Sequence, residues 1–309
     1  TAIMKLGMTP CSTVSNATYR KGTWTVEGSG GSLTLRDALA HSKNPVAVRL
    51  IEMTTPKSVI QTARDLGVTE EIPNEYAVAL GSSDITIYEM LGAYSTFANY
   101  GNYIKPEMIW RIEDANGRVI KEVKPVLKEV MNELYAYTMI DLMKGVAAFG
   151  TASGELSRRG VDKNIEIAAK TGTTQNNSDG WFIGITPNLA TGVWVGWEDR
   201  ATHFRGTGEG QGAKMALPIW AIFMKKVWAD KELGVSPDDK FIKPSNWTGS
   251  CSDLQGLGGY GDEGGLQTID ELKAPKVEEN QNSTPRSSGK KEENVNENIN
   301  TGEEIDFNK

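Results

Sequence analysis

Two apolar spacings alternate along this chain. Helical spacing comes first: Leu35 and Leu39 lie four apart within Ser32–Ala40, which predicts a helix ending at His41-Ser42-Lys43-Asn44, because the residue before Pro45 disfavours α geometry. Pro45 can itself open a second helix, whose Val46, Val48 and Leu50 form no clean stripe and predict a buried segment. Pro56 opens a third, ending at Leu66-Gly67. Thr86 caps a fourth, with Glu89 three residues on and Gly101 as its stop. Val126–Phe149 reads as a fifth, broken by Gly150–Gly154. Strand spacing then takes over. Ile165–Ala169, Trp181–Thr186 and Thr191–Trp197 follow one another through short polar links, which predicts an antiparallel sheet. Met215–Trp228 is apolar enough to cover it as a helix. Ile109–Val123 reads as a hairpin with Asn116-Gly117 at its tip, residues 8–31 as a turn-rich loop, and Tyr76–Gly81 as a short apolar link.

This pattern does not reach the end of the chain. Residues 1–245 carry the periodic elements. Residues 246–273 include a glycine-rich stretch whose structure the pattern leaves open, and residues 274–309 are dominated by Glu, Asn, Lys, Ser and Gly. Such a tail buries too little apolar area to offset chain entropy, and disorder is expected there. At the other end, Thr1–Gly7 reads as the last turns of a helix closed by glycine. The expectation is that the chain is the C-terminal piece of something longer.

Composition narrows the functional classes. The 309 residues carry a net charge of −7, with no basic stripe interleaved with aromatics, which argues against nucleic acid as a partner. The longest apolar run, Met215–Met224, is interrupted by Pro218 and is too short to span a bilayer. Two cysteines, Cys11 and Cys251, allow one disulfide or none. With only His41 and His203 and no C-x-x-C pair, neither a metal nor another cofactor is expected.

The richest chemistry sits where the first sheet strand ends, in Lys170-Thr171-Gly172-Thr173-Thr174. Lys170 brings a positive charge. Thr171 and Thr173 place hydroxyls on one face, since alternate strand residues point the same way. Gly172 has no Cβ to keep a ligand backbone away. An edge of this kind suits an extended peptide ending in a carboxylate. Alone the triplet also fits an ordinary hairpin strand, and Ser42-Lys43-Asn44 alone reads as a helix cap. Together, Ser-x-Asn followed far downstream by Lys-Thr-Gly make up two of the three motifs of penicillin-recognising serine acyltransferases.

Ser32–Asn44, Ala79-Leu80-Gly81-Ser82, Glu89–Asn99 with Gly101, Ala169–Thr174, Ser178–Gly184, Val193–Gly196 and Gly210–Trp220 extend that match. Over residues 1–245 the chain resembles the transpeptidase domain of class A penicillin-binding proteins, the bifunctional peptidoglycan synthases. The resemblance implies an α/β (α+β) fold shared with the serine β-lactamases: an antiparallel sheet with helices plus an all-helical lobe, here incomplete at its N-terminus. It implies D,D-transpeptidase chemistry through a serine acyl-enzyme, stem peptides ending in D-Ala-D-Ala and β-lactams as ligands, and a place at the outer face of the bacterial cytoplasmic membrane. By motif position it casts Ser42 as the hydroxyl that relays a proton to the leaving amine. Asn44 becomes a ligand-amide partner, Lys170 the polarising charge, Thr171, Gly172, Thr173 and Thr174 the substrate-binding edge, and the Thr173 N–H half of an oxyanion hole. Ser42 and Lys170 are then expected within hydrogen-bond reach.

The family's first motif, Ser-x-x-Lys, supplies nucleophile and base. Here it occurs only at Ser287–Lys290 and Ser288–Lys291, in the tail. The chain alone is therefore expected to be inactive, with the motif expected just upstream of Thr1 in the parent protein. A non-enzymatic module of the same fold that binds stem peptides is the alternative. A serine β-lactamase or class B synthase fits the segments around Ala79-Leu80-Gly81 and Asp179-Gly180-Trp181 less well. Trp181, Trp194 and Trp197 read as sheet packing, and the triplets at Asn16 and Asn246 as chance matches to a glycosylation signal.

Overall fold

A computed structural model describes residues 1–249. Helix α1, Ala2–Leu6, closes at Gly7 in the left-handed region (φ 63°). Where the turn-rich composition predicts a loop, three three-residue strands form, β1, Thr13–Ser15, β2, Tyr19–Lys21, and β3, Trp24–Val26, and a fourth, β4, Ser32–Thr34, replaces the start of the predicted helix. β1 pairs with β4 and β2 with β3. Each strand is too short for its alternation to stand out from the turns around it, yet Val14, Tyr19 and Val26 are buried. Because Ser32–Thr34 joins β1, helix α2 is only Leu35–Ala40; Thr34 is its N-cap and accepts from the Asp37 N–H at 3.1 Å.

Helices α3, Asn44–Thr54, and α4, Pro56–Asp65, both carry proline in the first turn, as predicted. A 3₁₀ turn, Tyr76–Leu80, and helix α5, Ile87–Ala98, capped by Thr86, follow. Strand β5 is Asn102–Ile104; β6, Arg111–Glu113, and β7, Val119–Glu122, form the hairpin around Asn116-Gly117. The helix expected from Val126 starts later. Leu127–Glu129 is strand β8, paired with β5, and helix α6, Glu133–Ala148, begins behind its cap Asn132. Pairing with a strand more than twenty positions away overrides local helical spacing here. Helix α7 is Ser153–Arg158.

Strands β9, Ala168–Thr173, β10, Gly180–Thr186, and β11, Leu189–Val195, make the antiparallel sheet in the order β11-β10-β9. Short helices α8, Thr207–Gly210, and α9, Gly212–Met215, lead into α10, Leu217–Ala229. Ala169, Phe182 and Gly184 lie on one sheet face and meet Trp220 and Met224 of α10. The Trp220 ring stands edge-on to Phe182 at 5.1 Å, and a Cβ on Gly184 would lie 2.5 Å from it, so only glycine fits beneath the indole. On the other face, Ala168 and Ile185 meet Ile140 and Met143 of α6, and Gly192 faces Ile87 and Leu91 of α5. Lys170, paired with Ile183, is on this second face.

No helix among the described residues is long and apolar enough to cross a membrane. Cys11 is not a free thiol. Cys251, most of the glycine-rich stretch and the whole polar tail lie outside the described residues. Trp194 packs beside Asp179, donating its Nε1–H at 3.1 Å, but Trp197 lies past the end of β11 and is 64% exposed rather than packed on the sheet. Asn16 is buried, its amide donating to Ser29 at 2.9 Å.

Candidate active site

The turn after α2 places the first half of the site. The Lys43 N–H donates to Ala38 C=O at 2.9 Å and the Ser42 N–H to Leu39 C=O at 3.1 Å. These are the two bonds of a Schellman C-cap, and Ser42 stands at its left-handed position (φ 51°), where glycine is usual. Ser42 thus ends one helix rather than beginning the next. An ion pair between Arg36 and the largely buried Asp141 fastens α2 to α6. Gly150 comes so close to α2 that a Cβ would lie 2.2 Å from Ala40 O, and the Thr151 N–H donates to that same oxygen at 3.0 Å. Asn44 opens α3 two residues after Ser42, with an exposed side chain.

The second half is β9. The Thr174 N–H donates to Asp179 C=O at 3.2 Å. In an antiparallel ladder, bonded and non-bonded pairs alternate, so Gly172 and Lys170 are the residues that bond β10. The backbone N–H and C=O of Thr171 and Thr173 then point away from β10. Among the described residues β9 is an edge strand, and these groups form its free side.

Lys170 joins the halves. Its Nζ donates to Ser42 Oγ at 2.9 Å and to Thr171 C=O at 2.6 Å. The residue is half-buried at its surface, but its ammonium is enclosed, and burial pushes the pKa down to about 8. It still carries its charge at neutral pH.

The hydroxyls differ in their employment. Thr171 pairs with Thr151 at 2.7 Å. Thr173 accepts from the Gly212 N–H at 3.0 Å and keeps its own hydrogen. Thr174 serves the turn: its oxygen accepts from the N–H groups of Ser178 (3.1 Å) and Asp179 (2.9 Å) and meets Ser178 Oγ at 3.0 Å. Gly172 lies opposite Trp181, whose Cβ would be 3.0 Å from an added methyl. Ser42, Lys170 and the free edge at Thr171 and Thr173 are thus brought together, Asn44 opens the adjoining helix, and Thr174 closes the β9–β10 connection. The roles of Thr151 and Gly212 escape motif reading because each touches the strand from a distant element: Thr151 shows only as part of a glycine-rich break, and Gly212 only as a member of the matched segment Gly210–Trp220. No group of three His, Cys, Asp or Glu that could hold a metal occurs among the described residues.

A fixed ammonium, outward N–H groups and a hydroxyl with a free hydrogen suit an anionic, extended ligand. The serine hydroxyl held against the lysine suits proton transfer at the same place. Comparisons with known proteins identify the family. The family model described as "Penicillin binding protein transpeptidase domain" matches residues 9–214. "Penicillin-binding protein 1A" of Aquifex aeolicus is 36% identical over 197 residues, covering 64% of this chain and 26% of that protein. Its namesake in Neisseria meningitidis is 32% identical over 241 residues, covering 72% and 29%. The chain therefore spans little more than a quarter of these relatives. Among solved structures, penicillin-binding protein 1A of Haemophilus influenzae aligns with TM-score 0.67 at 24% identity, over 77% of this chain and 41% of that one. PonA1 of Mycobacterium tuberculosis aligns with TM-score 0.68 at 22% identity, over 81% and 70%. These two likenesses speak for the fold.

Proposed function

The chain belongs to the penicillin-binding protein transpeptidase family, and on that premise we propose that its described residues form the donor-recognition part of a serine D,D-transpeptidase that cross-links peptidoglycan stem peptides. The observation that carries this reading is the 2.9 Å contact between Lys170 Nζ and Ser42 Oγ, which joins the Ser-x-Asn and Lys-Thr-Gly motifs in one site.

In this reading a stem peptide ending in D-Ala-D-Ala lies along the free edge of β9. Its terminal carboxylate meets the Lys170 ammonium and the hydroxyls of Thr171 and Thr173. The penultimate carbonyl oxygen takes the Thr173 N–H, and Asn44 takes an amide of the donor. A donor of that kind in an oxyanion hole typically supplies ~3 kcal/mol of transition-state stabilisation. A serine attacks the carbonyl carbon, the new C–O bond forms, and the C–N bond to the terminal D-Ala breaks. Ser42 hands its hydroxyl proton to the leaving amine and is reprotonated through the relay that begins at the attacking hydroxyl. An amine from a neighbouring stem then takes the acyl group. A β-lactam would enter as a mimic of the D-Ala-D-Ala end. The attacking serine is not assigned to any described residue, so the part played by the described residues is to bind and to relay. Its place of work is the bacterial cell envelope, on the outer side of the cytoplasmic membrane.

Incubation with a fluorescent penicillin tests the reading. Expected is reversible binding, competed by a D-Ala-D-Ala peptide and sharply weakened in Lys170→Ala, with no label surviving denaturation. Absence of reversible binding to the folded chain would overturn donor recognition. A label that survives would place the nucleophile among this chain's own serines and overturn the division of labour.

A further inference from the structure

Thr151 is exposed and lies outside every motif of the proposed site, yet it touches both halves. Its N–H is bonded to Ala40 C=O, two residues before Ser42, and its hydroxyl to that of Thr171 at 2.7 Å. The close approach of Gly150 to the same carbonyl fixes its main chain, and its β-branch restricts χ1.

Each threonine hydroxyl has one hydrogen. The Thr151–Thr171 pair uses one of the two, and among the described residues neither hydroxyl has another partner. Which hydrogen lies between the oxygens decides what a ligand finds. If Thr171 donates to Thr151, its hydrogen is spent within the protein. If Thr151 donates to Thr171, the Thr171 hydrogen is left for an acceptor arriving at the edge of β9. A carboxylate can only accept. Its binding to Thr171 therefore requires the second arrangement, in which the pair and the new bond run in one direction and reinforce each other.

We propose that Thr151 is a positioning residue for carboxylate recognition: its hydroxyl donates to Thr171 Oγ1 and thereby aims the Thr171 O–H at the C-terminal carboxylate of the bound peptide. The inference rests on the proposed donor site and adds a residue to it. Through its N–H, Thr151 also ties that carboxylate subsite to the turn that carries Ser42.

Thr151→Val keeps the shape and the backbone N–H but removes the hydroxyl, while Thr151→Ser keeps the hydroxyl. The probes are diacetyl-Lys-D-Ala-D-Ala and its C-terminal amide, titrated into the full isotope-labelled 309-residue chain and followed by NMR. The original chain should bind the acid more tightly than the amide. Thr151→Val should lose about five- to tenfold of that preference, the range of one hydrogen bond between neutral groups, with amide affinity unchanged, and Thr151→Ser should restore most of it. If Thr151→Val keeps the full preference, or loses acid and amide binding equally, the positioning role fails while donor recognition stands. If the original chain shows no preference for the acid, the donor site itself is wrong and the inference falls with it.

Discussion

Lys170 and Ser42 stand 128 positions apart in sequence and 2.9 Å apart in space. The contact needs an unusual backbone at one end and an ordinary edge strand at the other. Ser42 enters the left-handed region to end α2, and Lys170 leaves an edge strand on the face covered by α5 and α6. The lysine is desolvated there with neutral partners, a hydroxyl and a carbonyl, which makes its charge state sensitive to pH.

Lys170 should therefore give two opposite pH responses. Its folded pKa of about 8 lies below its ordinary value of 10.5. Between these values the unfolded chain binds more protons than the folded one, so this group makes stability rise with pH through that window. The Lys170 ammonium is lost over the same range, so affinity for a carboxylate ligand should fall as pH passes 8. Urea unfolding and peptide titration at pH 7 and 9.5, each compared with Lys170→Met, will show both slopes. A stability that falls over this window, or a carboxylate affinity indifferent to it, would contradict the buried-ammonium picture.

Ser42→Gly should separate stability from function. A non-glycine residue in the left-handed region costs ~1 kcal/mol or more. Glycine at the left-handed position of this cap should raise the unfolding free energy by up to ~1 kcal/mol while removing the relay hydroxyl. Backbone strain at a functional site is recognised by such a trade. Urea denaturation measures the gain. The loss is read as acylation by penicillin in a form of the protein that carries a Ser-x-x-Lys segment. A destabilised Ser42→Gly would mean that the hydroxyl, rather than the backbone, governs this turn.

Local signals made much of the frame legible. Thr86 caps a helix, Pro45 and Pro56 open helices, and Asn116-Gly117 turns the hairpin, because caps and turns are decided within a few residues. What was hidden depends on distant partners. Leu127–Glu129 looks helical until β5 pairs with it, and Ser32–Thr34 until β1 does. At the site the two triplets were visible as motifs. The hydroxyl of Thr151, the N–H of Gly212 and the left-handed turn at Ser42 were not, since nothing near them in sequence names the group they touch.

Gly184 and Trp220 should behave as one packing unit. A Cβ at Gly184 would lie 2.5 Å from the indole, which is fully buried against Phe182. Gly184→Ala should cost ~1–3 kcal/mol through overpacking, and Trp220→Ala ~3–5 kcal/mol through the cavity it leaves. Combined with Trp220→Leu, Gly184→Ala should cost clearly less than it does alone, a coupling that a double-mutant cycle in urea resolves. Strict additivity would mean that the sheet shifts to accept the methyl without the tryptophan.

Thr173 rests against α9, and α9 carries one partner of an ion pair. The Gly212 N–H donates to Thr173 Oγ1 at 3.0 Å, and a Cβ on Gly212 would lie 2.2 Å from Gly172 O, so the helix presses directly on the edge strand. Two residues on, Lys214 donates to the buried Glu155 at 2.9 Å, where Arg158 and Arg159 of the neighbouring turn also converge. Burial alone would raise the Glu155 pKa, but the hydrogen bonds from Lys214 and Arg159 and the nearby positive charges hold it below the ordinary value. Its contribution to stability is thus present above pH 4.5 and lost as pH falls through the lower folded value. Lys214→Met removes one of three cationic partners and leaves the carboxylate satisfied by the other two, so it should cost only ~1.5 kcal/mol. It also frees the start of α9 from its side-chain anchor. Carboxylate affinity should drop severalfold at pH 7, with the NMR shifts of Thr173 and Gly212 moving together while that of Thr171 stays. If Lys214→Met lowers stability but leaves those two signals and the affinity in place, α9 is held by backbone packing alone and the ion pair has no part in shaping the site.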